Sequence, residues 1–293
     1  MTGLDVLLQF LLNGIVTGSV YVLIAVGLTL IFGILGVVNF AHGEFYMLGG
    51  YIGITATTLL GLPLLPACAV VALALAALGI AAERVVFRPL AGRDPTSSIV
   101  ASFGLAVVLQ NAALLVFGAQ PQLLRTPWAR VPLHLGPAVI TGQRALIPVV
   151  MVVLMTALGL LLRFTWTGRA LRAMAQHPTL AQISGIDIRR VAVVTFAAAA
   201  ALAGAAGALM SSVLLVQPTS GNLMVLKAFT VVILGGMGSV AGAVVAGLGL
   251  GIVESLVSAY LGNGLRDIVG FLVVIAVLLV RPQGLLGRVT ARA

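Results

Sequence analysis

Between two long charge-free runs, Val6 to Ala41 and Phe45 to Ala82, the chain reads Asn39-Phe40-Ala41-His42-Gly43-Glu44-Phe45-Tyr46-Met47. An amide, an imidazole, a carboxylate and a phenol so close together can replace water around a polar solute. Such groups are costly facing lipid, and a carboxylate at mid-membrane costs on the order of a few kcal/mol unless protein or water meets it. Two readings follow. In one, Asn39, His42, Glu44 and Tyr46 border a translocation path; in the other, Asn39 caps a helix whose first turn carries Glu44 at the membrane surface.

A second polar stretch runs from Thr167 through Gly168, Arg169, Arg172 and Gly185 to Arg190, and is the longest in the chain. Its alanines and arginines favour a short helix, which Gly185 suits as a stop. A helix of this kind between two membrane spans docks something, and Arg172→Glu is expected to break that coupling. Glycines form a third group. Gly235-Gly236-Met237-Gly238, with Ser239 and Gly242, breaks an apolar run, while Gly238 to Gly242 and Gly247 to Gly251 are spaced for close helix contact. The first set suggests a discontinuous helix and the second suggests packing. Gly236→Leu should therefore do more harm than Gly53→Leu. Leu-Gly-Gly at Leu48 and again at Leu234 hints at two related halves.

Bond-making chemistry finds no foothold. The seven acidic residues are scattered, and His42, His134 and His177 lie in different segments, so neither a metal set nor an activated nucleophile is apparent. The sole lysine, Lys227, follows Leu226 rather than a glycine, which excludes a phosphate-gripping loop, so any ATP must be used by another subunit. Cys68 has no partner and reads as a packing residue.

The elements that must position these residues are membrane spans. Hydrophobic types make up 61% of the 293 residues and charged types 8%, with a mean hydropathy of +1.20, far from a soluble composition. The net charge of +9 comes from sixteen basic residues lying mainly between and beside the apolar runs. Loop charge that sets orientation explains it better than nucleic acid does, since no aromatic ladder accompanies the arginines. No basic residue precedes the first apolar run, so the first helix is expected to be retained rather than cleaved.

Residues 6 to 82 would form a helix of roughly 115 Å, against a hydrocarbon core of about 30 Å, so three crossings fit: near 8–30, 43–60 and 64–83. Further spans are expected near 97–118, 146–164 and 191–215. The block 227–280 holds two full crossings, or three if one is short. The fold class expected is an all-α integral membrane bundle of eight to nine spans, one domain over residues 1–293, with discontinuous helices and possible inverted repeats. Arg84, Arg88 and Arg93 mark one loop, and Arg163, Arg169, Arg172, Arg189 and Arg190 another two crossings later, the parity two cytoplasmic loops require. The N-terminus is then outside. Arg281, Arg288 and Arg292 favour an inside C-terminus and three crossings in the last block, and the loop at 119–144 carries arginines of its own.

Taken in order, Asn-Gly-Ile-Val-Thr-Gly-Ser-Val-Tyr from Asn13, Val-Asn-Phe-Ala-His-Gly-Glu from Val38, Glu83-Arg84 with Arg88-Pro89, Gly168-Arg169-Ala170 with Gly185-Ile186, Lys227-Ala228-Phe229-Thr230 and Leu-Gly-Gly-Met-Gly-Ser from Leu234 form a set running from about residue 8 to 287. As a set it resembles the permease of branched-chain amino acid ABC importers. The resemblance implies a multi-pass protein of the bacterial inner membrane that pairs with a second, homologous permease. It also implies two partner ATPase subunits that use the ATP, a periplasmic binding protein that delivers substrate, and a cytoplasmic coupling loop near 165–190. This chain would be the shorter first permease, which begins directly at a span; the 119–144 loop does not follow the family pattern, and nothing is carried over to it. The alternatives are a urea, amide or other amino-acid permease of the same kind, and an ion-coupled carrier or channel using His42 and Glu44 as a relay.

Overall fold

The computed structural model describes residues 3–126, 128 and 131–287. Arg130, Arg288 and Arg292, whose charges entered the orientation argument, lie outside the described residues.

Lipid offers a backbone no hydrogen-bond partner, so apolar runs satisfy their own as helices. In chain order these are α1 (Gly3–Leu35), α2 (His42–Thr58), α3 (Leu64–Ala82), α4 (Pro95–Phe117), α5 (Gly142–Phe164), α6 (Trp166–Gln176), α7 (Pro178–Ile183), α8 (Ile188–Met210), α9 (Ser220–Gly235), α10 (Val240–Tyr260) and α11 (Arg266–Val280). Among the described residues seven helical stretches, those of α1, α3, α4, α5, α8, α10 and α11, are long and apolar enough to cross a bilayer. The α2 and α9 helices have 17 and 16 residues, and at about 1.5 Å per residue fall short of a core of about 30 Å. With them the bundle has nine apolar helices among the described residues, in line with the eight to nine spans expected. The last block holds three, with α9 the one whose continuous helical stretch is too short to span, since α11 is extended to 18 residues by the turn from Asn263.

Several boundaries differ from the sequence reading for local reasons. The helix expected across 167–190 is two helices, because Pro178 lacks an N–H and holds His177 in an extended conformation at φ −146°. The span expected to reach residue 215 stops at Met210, where the chain leaves the helix until Ser220. A hairpin of β1 (Pro132–Leu135) and β2 (Ala138–Thr141), turning at Gly136 with φ +63°, lies in the 119–144 loop of an otherwise helical protein. Four-residue strands are too short to register as alternation.

The bundle is organised around α1 and α8, and its packing has a two-fold logic. The first helix of each half packs along the third of the other, α1 on α10 and α8 on α3. It also packs on the short helix of the other half, α1 on α9 and α8 on α2, while α4 packs on α2 as α11 packs on α9. Small residues permit these approaches. Gly18 of α1 meets Gly247 and Leu248 of α10, and Gly14 meets Ile252, so the two helices run antiparallel; a Cβ on Gly251 would lie 2.4 Å from Gly18. Across the equivalent seam Gly79 of α3 meets Phe196 and Ala200 of α8, and Gly204 meets Leu75. The Leu-Gly-Gly tripeptides do not carry this relation, since Gly49 and Gly50 sit inside α2 whereas Gly235 ends α9.

Candidate functional site

Residues Asn39 to Glu44 stand where the chain re-enters the bundle. After α1 ends, Gly36 turns the backbone with φ +68°, and an irregular segment runs to the start of α2. Irregular backbone at membrane depth persists only where protein or water supplies its hydrogen bonds. Here Ser102 of α4 accepts from the Phe40 N–H at 3.1 Å, and the Asn39 side-chain oxygen accepts from the Ala41 N–H at 3.0 Å. The Phe40 ring stacks on Phe103 of α4 at 4.2 Å between centroids and leans on Phe229 of α9 at 4.9 Å. Asn39 is therefore not the N-cap of α2, which is Ala41; its amide closes a turn one step earlier.

The group is enclosed. Asn39 and His42 have no exposed surface, and Glu44 and Tyr46 are buried. His42 Nε2 lies 3.0 Å from the Ile24 carbonyl of α1, and only the absence of a side chain on Gly27 leaves room for the ring. The Glu44 carboxylate lies over Gly221 in the first turn of α9, where an added Cβ would come within 2.5 Å of Oε1. Gly43 meets the Gly221 carbonyl in the same way. The N-terminal ends of two short helices thus abut inside the protein with a carboxylate between them, and free N–H groups and helix dipoles favour negative charge there. Asn39 Nδ2, His42 Nδ1 and Glu44 Oε2 have no partner among the described residues, leaving three buried polar atoms for water or a polar solute.

The approach to α9 mirrors that to α2. Between Ser211 and Thr219 the chain is irregular and is stitched to the preceding loop: Val216 exchanges two backbone hydrogen bonds with Gln122, at 2.8 and 2.9 Å, and the Ser211 carbonyl accepts from Leu124.

A second concentration of charge was not among the candidate site residues read from the sequence, where Lys227 served only to exclude a phosphate-gripping loop and to mark the family resemblance. Lys227 of α9 donates to Glu254 of α10 at 2.5 Å and to Asp267 of α11 at 2.8 Å. Glu254, with no exposed side-chain surface, also accepts from Arg266 Nε at 2.8 Å and from the Tyr21 hydroxyl of α1 at 2.8 Å. Four helices are tied to one carboxylate. A lone lysine and a lone glutamate in apolar helices were the available signal. Beside this cluster lies a cavity of about 630 Å³ on the side of the 119–144 loop; its lining includes Lys227, Arg266 and Arg144 but none of Asn39, His42, Glu44 and Tyr46.

The polar stretch at 165–190 forms an exposed elbow. Thr165 caps α6 by accepting from the Gly168 N–H at 2.9 Å. Gly168 is required by the tight turn from α5, where a Cβ would meet Leu161 and Leu162 at 2.2–2.5 Å, and Gly185 ends α7 with φ +83°. Those two glycines shape the element; Arg169 and Arg172 project from it. Arg169 lies over Trp166 at 5.2 Å, and Arg172 donates to the Leu162 carbonyl. Trp166, Leu180 and Ile183, absent from the sequence reading, are exposed at 74%, 60% and 79% beside them, a surface with both charge and apolar anchors.

Gly235, Gly236, Gly238 and Gly242 form the turn between α9 and α10. Gly236 and Gly238 have φ of +100° and +84°, and Gly235 and Gly242 are in backbone contact. Gly53, chosen as the tolerant comparison, faces Ala208 with a virtual Cβ only 3.0 Å away, so it is itself a packing position. Gly104, with nothing within 4 Å, is the proper control.

The profile of the family described as branched-chain amino acid transport system / permease component matches residues 10–278. The chain is 39% identical to the high-affinity branched-chain amino acid transport system permease protein LivH of Escherichia coli K12, over 96% of both chains. It is 38% identical to the corresponding protein BraD of Pseudomonas aeruginosa PAO1 over the same shares. With the probable LivH of Methanocaldococcus jannaschii the identity is 30%, over 95% of this chain and 92% of that one. No solved structure matches. A likeness this even from end to end, on a bundle of apolar helices without a catalytic constellation among its described residues, means that the chain belongs to the branched-chain amino acid transport permease family, a family of multi-pass transport components rather than enzymes.

Proposed function

We propose that this chain is the membrane-crossing permease of an ATP-driven importer that carries branched-chain or other compact hydrophobic amino acids into the cytoplasm across a bacterial inner membrane. The observation that carries the reading is identity of 38–39% over 96% of the chain to permeases named for that transport. A second, homologous permease, two ATPases and a periplasmic binding protein complete the assembly. No nucleotide binds this chain; the ATPases hold the ATP.

In this mechanism the exposed elbow of α6 and α7 is the ATPase contact, with Arg169 and Arg172 supplying charge and Gly168 and Gly185 its shape. Because α6 packs on α1 and α8 as well as α5, a push on the elbow reaches the two central helices directly. Those helices flank the meeting point of α2 and α9, where Asn39, His42, Glu44 and Tyr46 would replace hydration around a passing zwitterion when the helix ends part. The turn at Gly235, Gly236, Gly238 and Gly242 acts as the fixed corner.

The test is reconstitution. The chain, co-expressed with the second permease and ATPases encoded beside its gene, is placed in proteoliposomes with the neighbouring binding protein, and uptake of radiolabelled leucine, isoleucine, valine and urea is followed. ATP-dependent uptake of the branched-chain amino acids is expected. Uptake of urea alone, or uptake that survives loss of the ATPases, would overturn it.

A further inference from the structure

The 630 Å³ cavity is a built site with an unused charge. It lies between the N-terminal part of α1, the start of α5, the end of α8, the start of α9 and the α10–α11 turn. The α1, α5, α8 and α10–α11 ends lie toward the face opposite the arginine-rich loops, the face from which a binding protein would deliver, and the start of α9 lies deeper, where it abuts α2.

The polar lining is unequal in what remains free. Lys227 is saturated between Glu254 and Asp267. Arg266 gives Nε to Glu254 and one Nη2 bond to Tyr21 at 3.0 Å, leaving Nη1 without a partner among the described residues. These two cations and two carboxylates balance. Arg144 is extra: its one side-chain contact among the described residues is a long 3.4 Å bond to Asn13, and no described carboxylate pairs with it. A half-buried guanidinium with five donors, facing a cavity with a net positive charge, is a fork for a carboxylate. Phe10, Val16, Val20 and Met224 add apolar lining to the same cavity, and Asp267, half exposed, is the one acid among its lining residues open to an ammonium group. The volume suits a small molecule with some of its water.

We infer that this cavity is an entry subsite for a small aliphatic amino acid, with Arg144 receiving the α-carboxylate, Asp267 facing the ammonium and the wall at Phe10 and Val16 taking the side chain. The inference rests on the functional reading above and adds to it a holding position inside one permease, ahead of the α2–α9 junction. It makes Arg144 a specificity residue that distinguishes an amino acid from an amide.

Ser258 lines the cavity, and the test uses Ser258→Cys in a Cys68→Ala chain within the full transporter, labelled with a hydrophilic maleimide. Leucine is expected to slow labelling, whereas leucinamide, which lacks the carboxylate, is not. Arg144→Gln should weaken the protection about tenfold or more, the value of a lost charge-assisted pair, with Arg144→Lys restoring part of it. An unchanged labelling rate without ligand shows that the variant cavity keeps its shape. Leucine uptake by the parent transporter without protection, protection by leucinamide equal to that by leucine, or full protection in Arg144→Gln overturns the subsite alone. If the parent takes up no branched-chain amino acid, the functional reading fails first. Protection by isovalerate that is lost in Arg144→Gln then still supports a carboxylate site, and its absence removes that too.

Discussion

Glu254 shows what a single buried carboxylate can do, because it accepts from Tyr21, Lys227 and Arg266 and so joins α1, α9, α10 and α11. Removing one member of a buried ion cluster strands the others without solvent, at a cost of about 3–5 kcal/mol. Glu254→Gln is therefore expected to lower the thermal midpoint of the purified permease sharply, whereas Asp267→Asn, at a half-exposed partner, should lower it little; equal losses would contradict the hierarchy. Asn39, His42 and Glu44 predict a different behaviour. Single cysteines at these positions in a Cys68→Ala chain should resist hydrophilic thiol reagents at rest, as their burial requires, and become reactive when ATP and loaded binding protein are supplied. Labelling indifferent to both would reduce the segment to a structural turn. The sequence made this segment legible because its polar residues interrupt apolar runs with nothing nearby to explain them. Lys227 and Glu254 escaped because each is a lone charge in its own helix, and their pairing across 27 positions exists only once α9 lies on α10.

At the scale of elements, two short pieces have outsized roles. The α6–α7 elbow exposes Leu180 and Ile183 as well as Arg169 and Arg172, so the proposed docking surface is amphipathic rather than simply basic. Arg172→Glu reverses the charge but also removes the guanidinium from the Leu162 carbonyl, so Leu180→Asp is the cleaner probe. Both should leave substrate capture by the binding protein intact while uptake falls about tenfold or more, as when a buried apolar anchor is lost from an interface. Normal uptake in both would sink the elbow as a coupling element. The α9–α10 turn makes the opposite demand, for no side chain at all. A residue at Gly236 would need φ near +100° and would meet Gly287 at 2.4 Å, combining backbone strain of about 1–3 kcal/mol with overpacking of similar size. Gly236→Leu should abolish assembly in pull-downs with the second permease, and Gly104→Leu should not. Composition revealed these glycines as a break. It did not reveal that Gly53 is also a packing position, if a looser one, because an isolated helical glycine looks the same whether it faces lipid or Ala208.

On the whole-molecule scale, the antiparallel packing of α1 on α10 and of α8 on α3 fits a second half that enters the membrane from the opposite side to the first. The antiparallel seam of Gly14 and Gly18 against Ile252 and Gly247 fixes α1 relative to α10. The loop at 83–93 and the elbow share one face, since Arg88 lies within Coulombic reach of Asp187, and the bidentate Glu83 holds Arg88 there. Gln9 of α1 bonds the Val139 backbone in both directions, at 2.9 Å each, which puts the 119–144 loop at the other end of α1. The orientation we propose puts the two arginine-rich loops inside and the hairpin, with Arg125 and Arg144, outside; α1 then runs inward, α8 outward, and nine apolar helices bring Arg281 back inside. Cysteines at Thr179 and Arg93 in a Cys68→Ala chain should react with an impermeant maleimide only in inside-out vesicles, and cysteines at Gly136 and Asn263 only in right-side-out spheroplasts. If Thr179 and Gly136 react from the same side, α1 and α8 enter from one side, the two halves are not inverted, and the abutting ends of α2 and α9 lose their symmetric origin.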